Sequence, residues 1–203
     1  MSLLTAYPWK SKRPIIQRPY RTLPFEHELV DVPDFKVKSL ERRYSRPYFS
    51  PKFDSWEMDL MEAVQGRLYY VMIININTRF LWCDDRTGKS ANGVADALTN
   101  FLNQHRCTNI RGDAEAAFRS DIVIRLLTER GVSYFWNASP YTNRNRIIDR
   151  AMRTIRDGFG LDRDLIKDPA SMKRMVKLYN HTPHAAYRNL FTPIEVQRDR
   201  ELE

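Results

Sequence analysis

The 203-residue chain has few residues that could form covalent or metal cross-links, with only two cysteines, Cys83 and Cys107, and four histidines. Neither cysteine belongs to a Cys-x-x-Cys pair, and the histidines lack zinc-finger spacing, so no structural zinc site is expected. No run approaches the roughly 20 apolar residues of a membrane span, so we expect no membrane partner. The N-terminus has no basic segment followed by an apolar one, which predicts that the protein is not secreted.

Glycine is absent from residues 1–50, whereas six of the eleven prolines lie there. Ten lysines and arginines in this segment face five acids. Proline at this density excludes long helices and central strands. We therefore predict an extended basic arm at 1–50 and a globular domain at 51–203. The arm could bind DNA, its own domain, a neighbouring subunit or another structural protein, or it could be a disordered tail.

The net charge is +8 at pH 7, and 42% of the residues are hydrophobic, which is ordinary for a soluble fold. Such a charge balance favours a polyanionic partner, for which nucleic acid is the first candidate. A basic surface without a partner is the alternative.

From residue 56 onward, the hydrophobic pattern predicts a mixed order of strands and helices. Residues 68–77 form a near-continuous apolar run, typical of a strand that is buried on both faces. Ser90 resembles a helix N-cap, Gly131 a helix stop, and Pro169 the first turn of a last helix that runs to about Asn180. The predicted strands are 56–64, 68–77, 79–84, 108–112 and 132–136, and the other predicted helices start at Ser90, 115 and 143. This order indicates an α/β fold.

The helix predicted at 143–157 combines an apolar stripe with a distinctive polar edge. Its stripe consists of Ile147, Ile148, Ala151, Met152, Ile155 and Phe159. Asp149 lies at the edge of this stripe, and Asn145, Arg153 and Arg156 share its side of the helix. A carboxylate placed there can hold a metal ion, and arginines can hold phosphate. An amphipathic helix with ordinary ion pairs is the plainer interpretation.

Three acids could meet in such a fold: Asp59 in the first strand, Asp113 after the fourth, and Asp149 on the helix after the fifth. Three carboxylates in one cleft are costly to ionise without cations. Mg²⁺ prefers such oxygen ligands, and two ions can support an in-line displacement at phosphorus. Aspartates that simply end strands are the alternative.

Several ordered motifs resemble the catalytic core of retroviral-type integrases and DDE transposases, in the manner of Maverick/Polinton elements and large DNA viruses. Trp56-Glu57-Met58-Asp59-Leu60 matches the Trp-x-x-Asp-Leu strand of that family. The segment Gly112 to Phe118 matches its second acid motif, and 35 residues separate Asp113 from Asp149, which lies at the place of the third acid. Tyr179 to His184 and Thr192-Pro193 match its downstream segments.

The resemblance implies an RNase H-like fold, with a five-stranded mixed sheet flanked by helices. It implies 3′-end processing of DNA and strand transfer with two Mg²⁺ or Mn²⁺ ions. Asp59, Asp113 and Asp149 would be the catalytic metal ligands. Asn145, Arg146, Arg153, Arg156 and Lys89 would contact DNA, whereas His184 is expected to be structural. The implied partners are element or viral DNA ends, target DNA and further copies of the chain. The implied location is the nucleus or a viral replication compartment of the host cell, or the virion.

This sequence departs from the family pattern at several positions. The third acid is aspartate rather than glutamate, and Ala114-Glu115 replaces the Asn-Gly that follows the second acid. The N-terminal zinc domain and the C-terminal small β-barrel of integrases are absent from this sequence. A second interpretation is therefore a catalytically silent integrase fold that serves as a structural protein, for example in a virus particle, held by its N-terminal arm.

Overall fold

The structure is a computed structural model that describes residues 48–137, 146–160 and 162–199, apart from the side chains of Thr87 and Arg146. These residues lie within one of two units into which the chain divides, the unit Pro47–Glu203. The predicted arm lies outside the described residues, except for residues 48–50.

One mixed sheet of five strands forms the centre of this unit, in the order β3-β2-β1-β4-β5. Antiparallel pairing joins β1 to β2 and β2 to β3, whereas β4 lies parallel to β1 and β5 lies parallel to β4. The predicted five-stranded mixed sheet is therefore confirmed. The strands are β1 Ser55–Val64, β2 Leu68–Asn75, β3 Leu81–Thr87, β4 Asn109–Asp113 and β5 Ser133–Asn137.

Five α-helices accompany the sheet within the described residues, together with two short 3₁₀ helices, Arg163–Lys167 and Ala185–Tyr187. Ser90 caps the first helix by accepting a hydrogen bond from the Gly93 amide, and Asp168 caps the fourth. None of the described helices is long and apolar enough to cross a membrane. The α-helices are α1 Ala91–Gln104, α2 Asp121–Glu129, α3 Arg146–Gly158, α4 Pro169–Asn180 and α5 Pro193–Arg198.

Side chains alternate along the strands, so the sheet has two apolar faces that pack against different helices. Trp56 and Met58 of β1 belong to the core that includes α1 and α2. Met61 of β1 belongs to the opposite core, with α3 and α4. The apolar stripe predicted for α3 is confirmed, because its members Ile148, Ala151, Met152, Ile155 and Phe159 are buried in that second core.

Several predicted boundaries are wrong. Strand β2 ends at Asn75 rather than at residue 77, and β3 spans Leu81–Thr87 rather than 79–84.

Two predictions about the helices are also wrong. Helix α2 begins at Asp121 rather than at residue 115, because residues 114–120 form turns that end at the N-cap position Ser120. The helix at Pro169 is not the last one, since α5 follows it. Thr192 and Glu195 form a capping box at the start of α5, with Pro193 in its first turn.

The connection between β2 and β3 is a buried polar turn that also holds residues 48–50. The Asn75 side chain accepts hydrogen bonds from the amides of Asn77 and Thr78. Arg79, with a φ of 58° and a side chain that is 3% exposed, donates to the carbonyl oxygens of Ile76 and Tyr48. This turn therefore fixes residues 48–50 on the domain without any helix or strand.

Candidate catalytic site

The three acids predicted from the sequence lie on central strand β1, on its parallel neighbour β4 and on helix α3, which packs on β1 and β2. Asp59 is half-buried in β1, immediately after Met58, which pairs with Gly112 of the neighbouring parallel strand. Asp113 is exposed at the end of β4. Asp149 is exposed in the first turn of α3, the helix that packs on β1 and β2.

The electrostatics of Asp59 show that these acids are close enough to act on one another. Burial raises the pKa of Asp59 to about 7, against a hydrogen bond of 2.7 Å from the Leu60 amide that lowers it. The negative charges of Asp113, Asp149 and Glu115 raise the pKa of Asp59 further. Burial also raises the pKa of Asp113, and Glu115 adds to that rise. The site therefore concentrates negative charge that a cation would relieve.

Close contact of β1 and β4 at the site depends on Gly112. A Cβ atom at this position would lie 2.9 Å from the Met58 carbonyl oxygen and 3.1 Å from the Met58 Cγ atom. Backbone cannot yield to such a contact as a flexible side chain can. Glycine at 112 thus permits the close approach of β1 and β4 next to Asp59 and Asp113, which directly follow the paired residues Met58 and Gly112.

A fourth acid, Glu115, lies beside the three aspartates and is paired with a lysine. Lys89 Nζ lies 3.1 Å from Glu115 Oε1 and 5.5 Å from the centroid of the Tyr69 ring. The Tyr69 hydroxyl donates to Glu62 Oε1 at 2.6 Å. The turn Ala114-Glu115 therefore places both a carboxylate and its paired cation, Lys89, at the rim of the site.

A buried charge network that the sequence analysis missed connects the three elements. Glu57 is 0% exposed and forms a salt bridge with Arg111, its partner in the register of β1 and β4. Its other oxygen accepts hydrogen bonds from the Ile147 and Ile148 amides at the start of α3. Oppositely charged residues at equal offsets before Asp59 and Asp113 were the available signal, but only strand register makes it meaningful.

Of the five residues predicted to contact DNA, the structure describes the side chains of three, and all three are exposed. Arg153 and Arg156 are exposed on α3, four and seven residues after Asp149, and Lys89 is exposed beside Glu115. Asn145 and the side chain of Arg146 lie outside the described residues.

His184 lies half-buried in the loop before the Ala185–Tyr187 turn and accepts a hydrogen bond from the Ala186 amide. Burial, together with the positive charges of Arg79 and Arg150, lowers its pKa to about 4.

The donor chemistry of the site fits a divalent metal ion, because the acids are hard oxygen ligands and the pKa of Asp59 is raised by burial and, to a smaller extent, by the neighbouring negative charges. As the side chains stand, no three His, Cys, Asp or Glu residues within the described ranges form a group able to hold a metal ion.

The five-stranded mixed sheet and its flanking helices match the RNase H-like fold of an integrase catalytic core. The solved structure of the catalytic core domain of BIV integrase has the same fold, with a TM-score of 0.61 and 14% sequence identity. The match covers 74% of this chain and 97% of the BIV integrase chain. No protein-family model matches the sequence, and no curated protein is significantly similar to it.

Proposed function

We propose that this protein is a metal-dependent DNA strand transferase that processes DNA 3′ ends and joins them to target DNA. The observation that carries the proposal is the placement of three acids on β1, on β4, which pairs with β1, and on α3, which packs against β1, so that the charges of Asp113 and Asp149 reach half-buried Asp59. The charges that act on Asp59 of β1 come from strand β4, the turn after it and helix α3, so the fold itself gathers them. The likeness to an integrase catalytic core supplies a fold in which such chemistry is found.

In this proposal, Asp59, Asp113 and Asp149 hold Mg²⁺ or Mn²⁺, with two ions expected. Bound divalent ions supply activation of the attacking oxygen and stabilisation of the leaving oxygen in an in-line displacement. Asp59 has to lose its proton to serve as a ligand, which its pKa near 7 allows at neutral pH.

The reaction needs no external energy source. In strand transfer, a DNA 3′-hydroxyl oxygen forms a bond to a target phosphorus while the phosphorus bond to the target 3′ oxygen breaks. One phosphodiester bond replaces another, and the proton of the attacking hydroxyl is balanced by protonation of the leaving oxygen. In 3′ processing, water takes the place of the hydroxyl.

DNA contacts are assigned to the basic side chains around the acids. Exposed Arg153 and Arg156 lie on the helix that carries Asp149, and Lys89 lies beside Glu115. Guanidinium groups bind phosphate with paired hydrogen bonds, which would fix the DNA backbone relative to the carboxylates. Asn145 and Arg146 belong to the same proposal. A homo-oligomer would hold the DNA ends together, in the nucleus or a viral replication compartment.

The first test is strand transfer by the full chain. Purified protein is mixed with Mn²⁺, labelled DNA carrying the terminal sequence of its element, and an unlabelled target. The variant Asp113→Asn should abolish the joined products, whereas Asp96→Asn, which removes an exposed acid of α1, should retain them. Loss of products in both variants would indicate a general charge effect instead.

A structural role without catalysis is the competing function, and the same experiment addresses it. A folded protein that yields no products and binds no divalent metal at millimolar concentration would overturn the enzyme proposal. Exposure of Asp113 and Asp149 to solvent favours catalysis over this alternative, because their carboxylates are accessible to a metal ion and to DNA.

A further inference from the structure

Glu57 is a fully buried carboxylate whose two oxygens have different partners. Oε1 accepts a hydrogen bond of 3.0 Å from Arg111 Nε and also pairs with Arg111 Nη2. Oε2 accepts from the amides of Ile147 and Ile148 at 3.1 and 2.9 Å. A buried carboxylate is tolerated when both oxygens are hydrogen-bonded and a cation is present, and both conditions hold here.

Glu57 and two of its partners each lie two residues before one of the three aspartates. Glu57 lies two residues before Asp59, Arg111 lies two residues before Asp113, and Ile147 lies two residues before Asp149. Because side chains two apart in a strand share a face, Glu57 and Asp59 point to the same side of β1. For the same reason, Arg111 and Asp113 share that side on β4.

The contact between Glu57 and α3 caps the N-terminal end of the helix. The first amides of a helix have no partner within the helix and carry its positive dipole end, so a carboxylate is a favourable cap. In this protein the cap comes from a distant strand, 90 residues earlier in the chain than Ile147. It therefore fixes where α3 starts relative to the sheet, which a local N-cap residue would not do.

We propose that Glu57 is a positioning residue, which joins β1, β4 and the start of α3 through one carboxylate and thereby sets Asp149 opposite Asp59 and Asp113. Its effect on catalysis rests on the proposed function, but its effect on the position of Asp149 does not. Arg111 completes the arrangement by neutralising Glu57, and the Tyr48 ring lies 5.2 Å from the Arg111 guanidinium carbon.

The test uses the full chain with Glu57→Gln, which keeps the size of the side chain but removes the charge and one acceptor. The matched control is Glu62→Gln, on the same strand and also hydrogen-bonded through its carboxylate, to Tyr69 and Gly66. Three quantities are measured: amide hydrogen exchange at Ile147 and Ile148 without metal, Mn²⁺ affinity by titration calorimetry, and the thermal midpoint.

We expect Glu57→Gln to speed exchange at Ile147 and Ile148 about tenfold or more, with the β2 amides unchanged. Mn²⁺ affinity should fall by about 10- to 100-fold, as is typical when a group that orients metal ligands is removed. The control Glu62→Gln should change neither the exchange at Ile147 and Ile148 nor the Mn²⁺ affinity. If Glu57→Gln fails to fold, the double variant Glu57→Gln/Arg111→Gln is measured in its place, because it leaves neither partner of the ion pair as an unpaired charge.

The outcomes separate this inference from the proposed function. If the unaltered protein binds no Mn²⁺, the proposed function fails, and exchange at Ile147 and Ile148 then tests the structural part of the inference, that Glu57 fixes the start of α3. Wild-type exchange in the variant would overturn the inference. Faster exchange with unchanged Mn²⁺ affinity would also overturn it, because Glu57 would then be a helix cap without influence on the acids.

Discussion

Lys89 donates a hydrogen bond to Glu115 across 3.1 Å at the rim of the acid cluster. The negative charge of Glu115 acts on both Asp59 and Asp113. Lys89 is thus the cation that partly balances an acid close to the three aspartates, and it is also a residue predicted to contact DNA. A DNA phosphate that attracts Lys89 would compete directly with Glu115 for it.

Replacing Lys89 with glutamine should therefore weaken DNA binding but leave the fold intact. Half-exposed ion pairs contribute at most about 1 kcal/mol to the free energy of unfolding, so a small change in stability is expected. If Lys89 contacts one phosphate, the negative slope of log affinity against log salt should become smaller in magnitude by about 0.9. Fluorescence anisotropy across a salt series measures this slope. Lys167→Gln, which breaks the exposed pair with Asp164, is the control and should leave the slope unchanged.

Gly112→Ala should distort the site by forcing β1 and β4 apart. The added Cβ would meet the Met58 carbonyl oxygen at 2.9 Å, and backbone must move to relieve this contact. We expect the free energy of unfolding to fall by about 1–3 kcal/mol, as for other insertions into packed regions. Urea unfolding measures the change. Gly88→Asn is the control, because nothing lies within 4 Å of that position and asparagine adopts positive φ more readily than most residues, so only the smaller cost of backbone strain at a φ of 78° is expected. Equal losses in the two variants would contradict the close-contact explanation.

Much of the fold could be predicted because its signals are local. The apolar run of β2 and the stripe of α3 follow from periods of two and 3.6 residues, and Ser90 is a recognisable N-cap. Helix α2 was predicted too early, because the apolar residues Ala117 and Phe118 precede it in a turn that packs into the core. The start of α5 did have a local signal, since Thr192-Pro193-Ile194-Glu195 has the capping-box pattern.

The site was predictable only in part, for a physical reason. Asp59, Asp113 and Asp149 carry motif and spacing information, so sequence alone could single them out. The role of Glu57 depends on which residue of β4 faces it, and register between strands 54 residues apart leaves no local trace. Sequence alone therefore did not single out Glu57.

Asp59→Asn should stabilise the metal-free protein at neutral and alkaline pH. The folded-state pKa of about 7 exceeds the ordinary value of 3.8, so the folded protein binds more protons between these values. The free energy of unfolding must then fall as the pH rises from about 4 through 7, by up to about 4 kcal/mol at 1.4 kcal/mol per pKa unit. Asparagine avoids this loss, so the variant should gain stability at pH 8 and match the native chain near pH 4. A gain independent of pH, in denaturant unfolding at both pH values, would contradict this origin.

His184 should produce the opposite pH dependence. Burial lowers its folded-state pKa to about 4 from an ordinary 6.5, so the unfolded chain binds more protons in that interval. Its contribution to the free energy of unfolding is complete above pH 6.5 and falls by up to about 3 kcal/mol as the pH drops through 4. His184→Asn, whose amide oxygen could still accept from Ala186, should remove this acid sensitivity. His181→Asn, at an exposed position, is the control. An equal loss of acid sensitivity in this variant would mean that the sensitivity does not come from burial of His184.

Mn²⁺ should stabilise the native chain through the acid cluster, whether or not a suitable DNA end is available. Ligand that binds only the folded state adds RT ln(1 + [L]/Kd), so an ion at ten times its Kd contributes about 1.4 kcal/mol. Asp149→Asn removes one proposed ligand and should reduce this gain, whereas Asp157→Asn removes an exposed acid at the other end of the same helix and should not. Thermal unfolding with increasing Mn²⁺ measures both variants. An equal gain in the two would mean that the ion binds outside the cluster, because the charge removed from α3 is the same in each case.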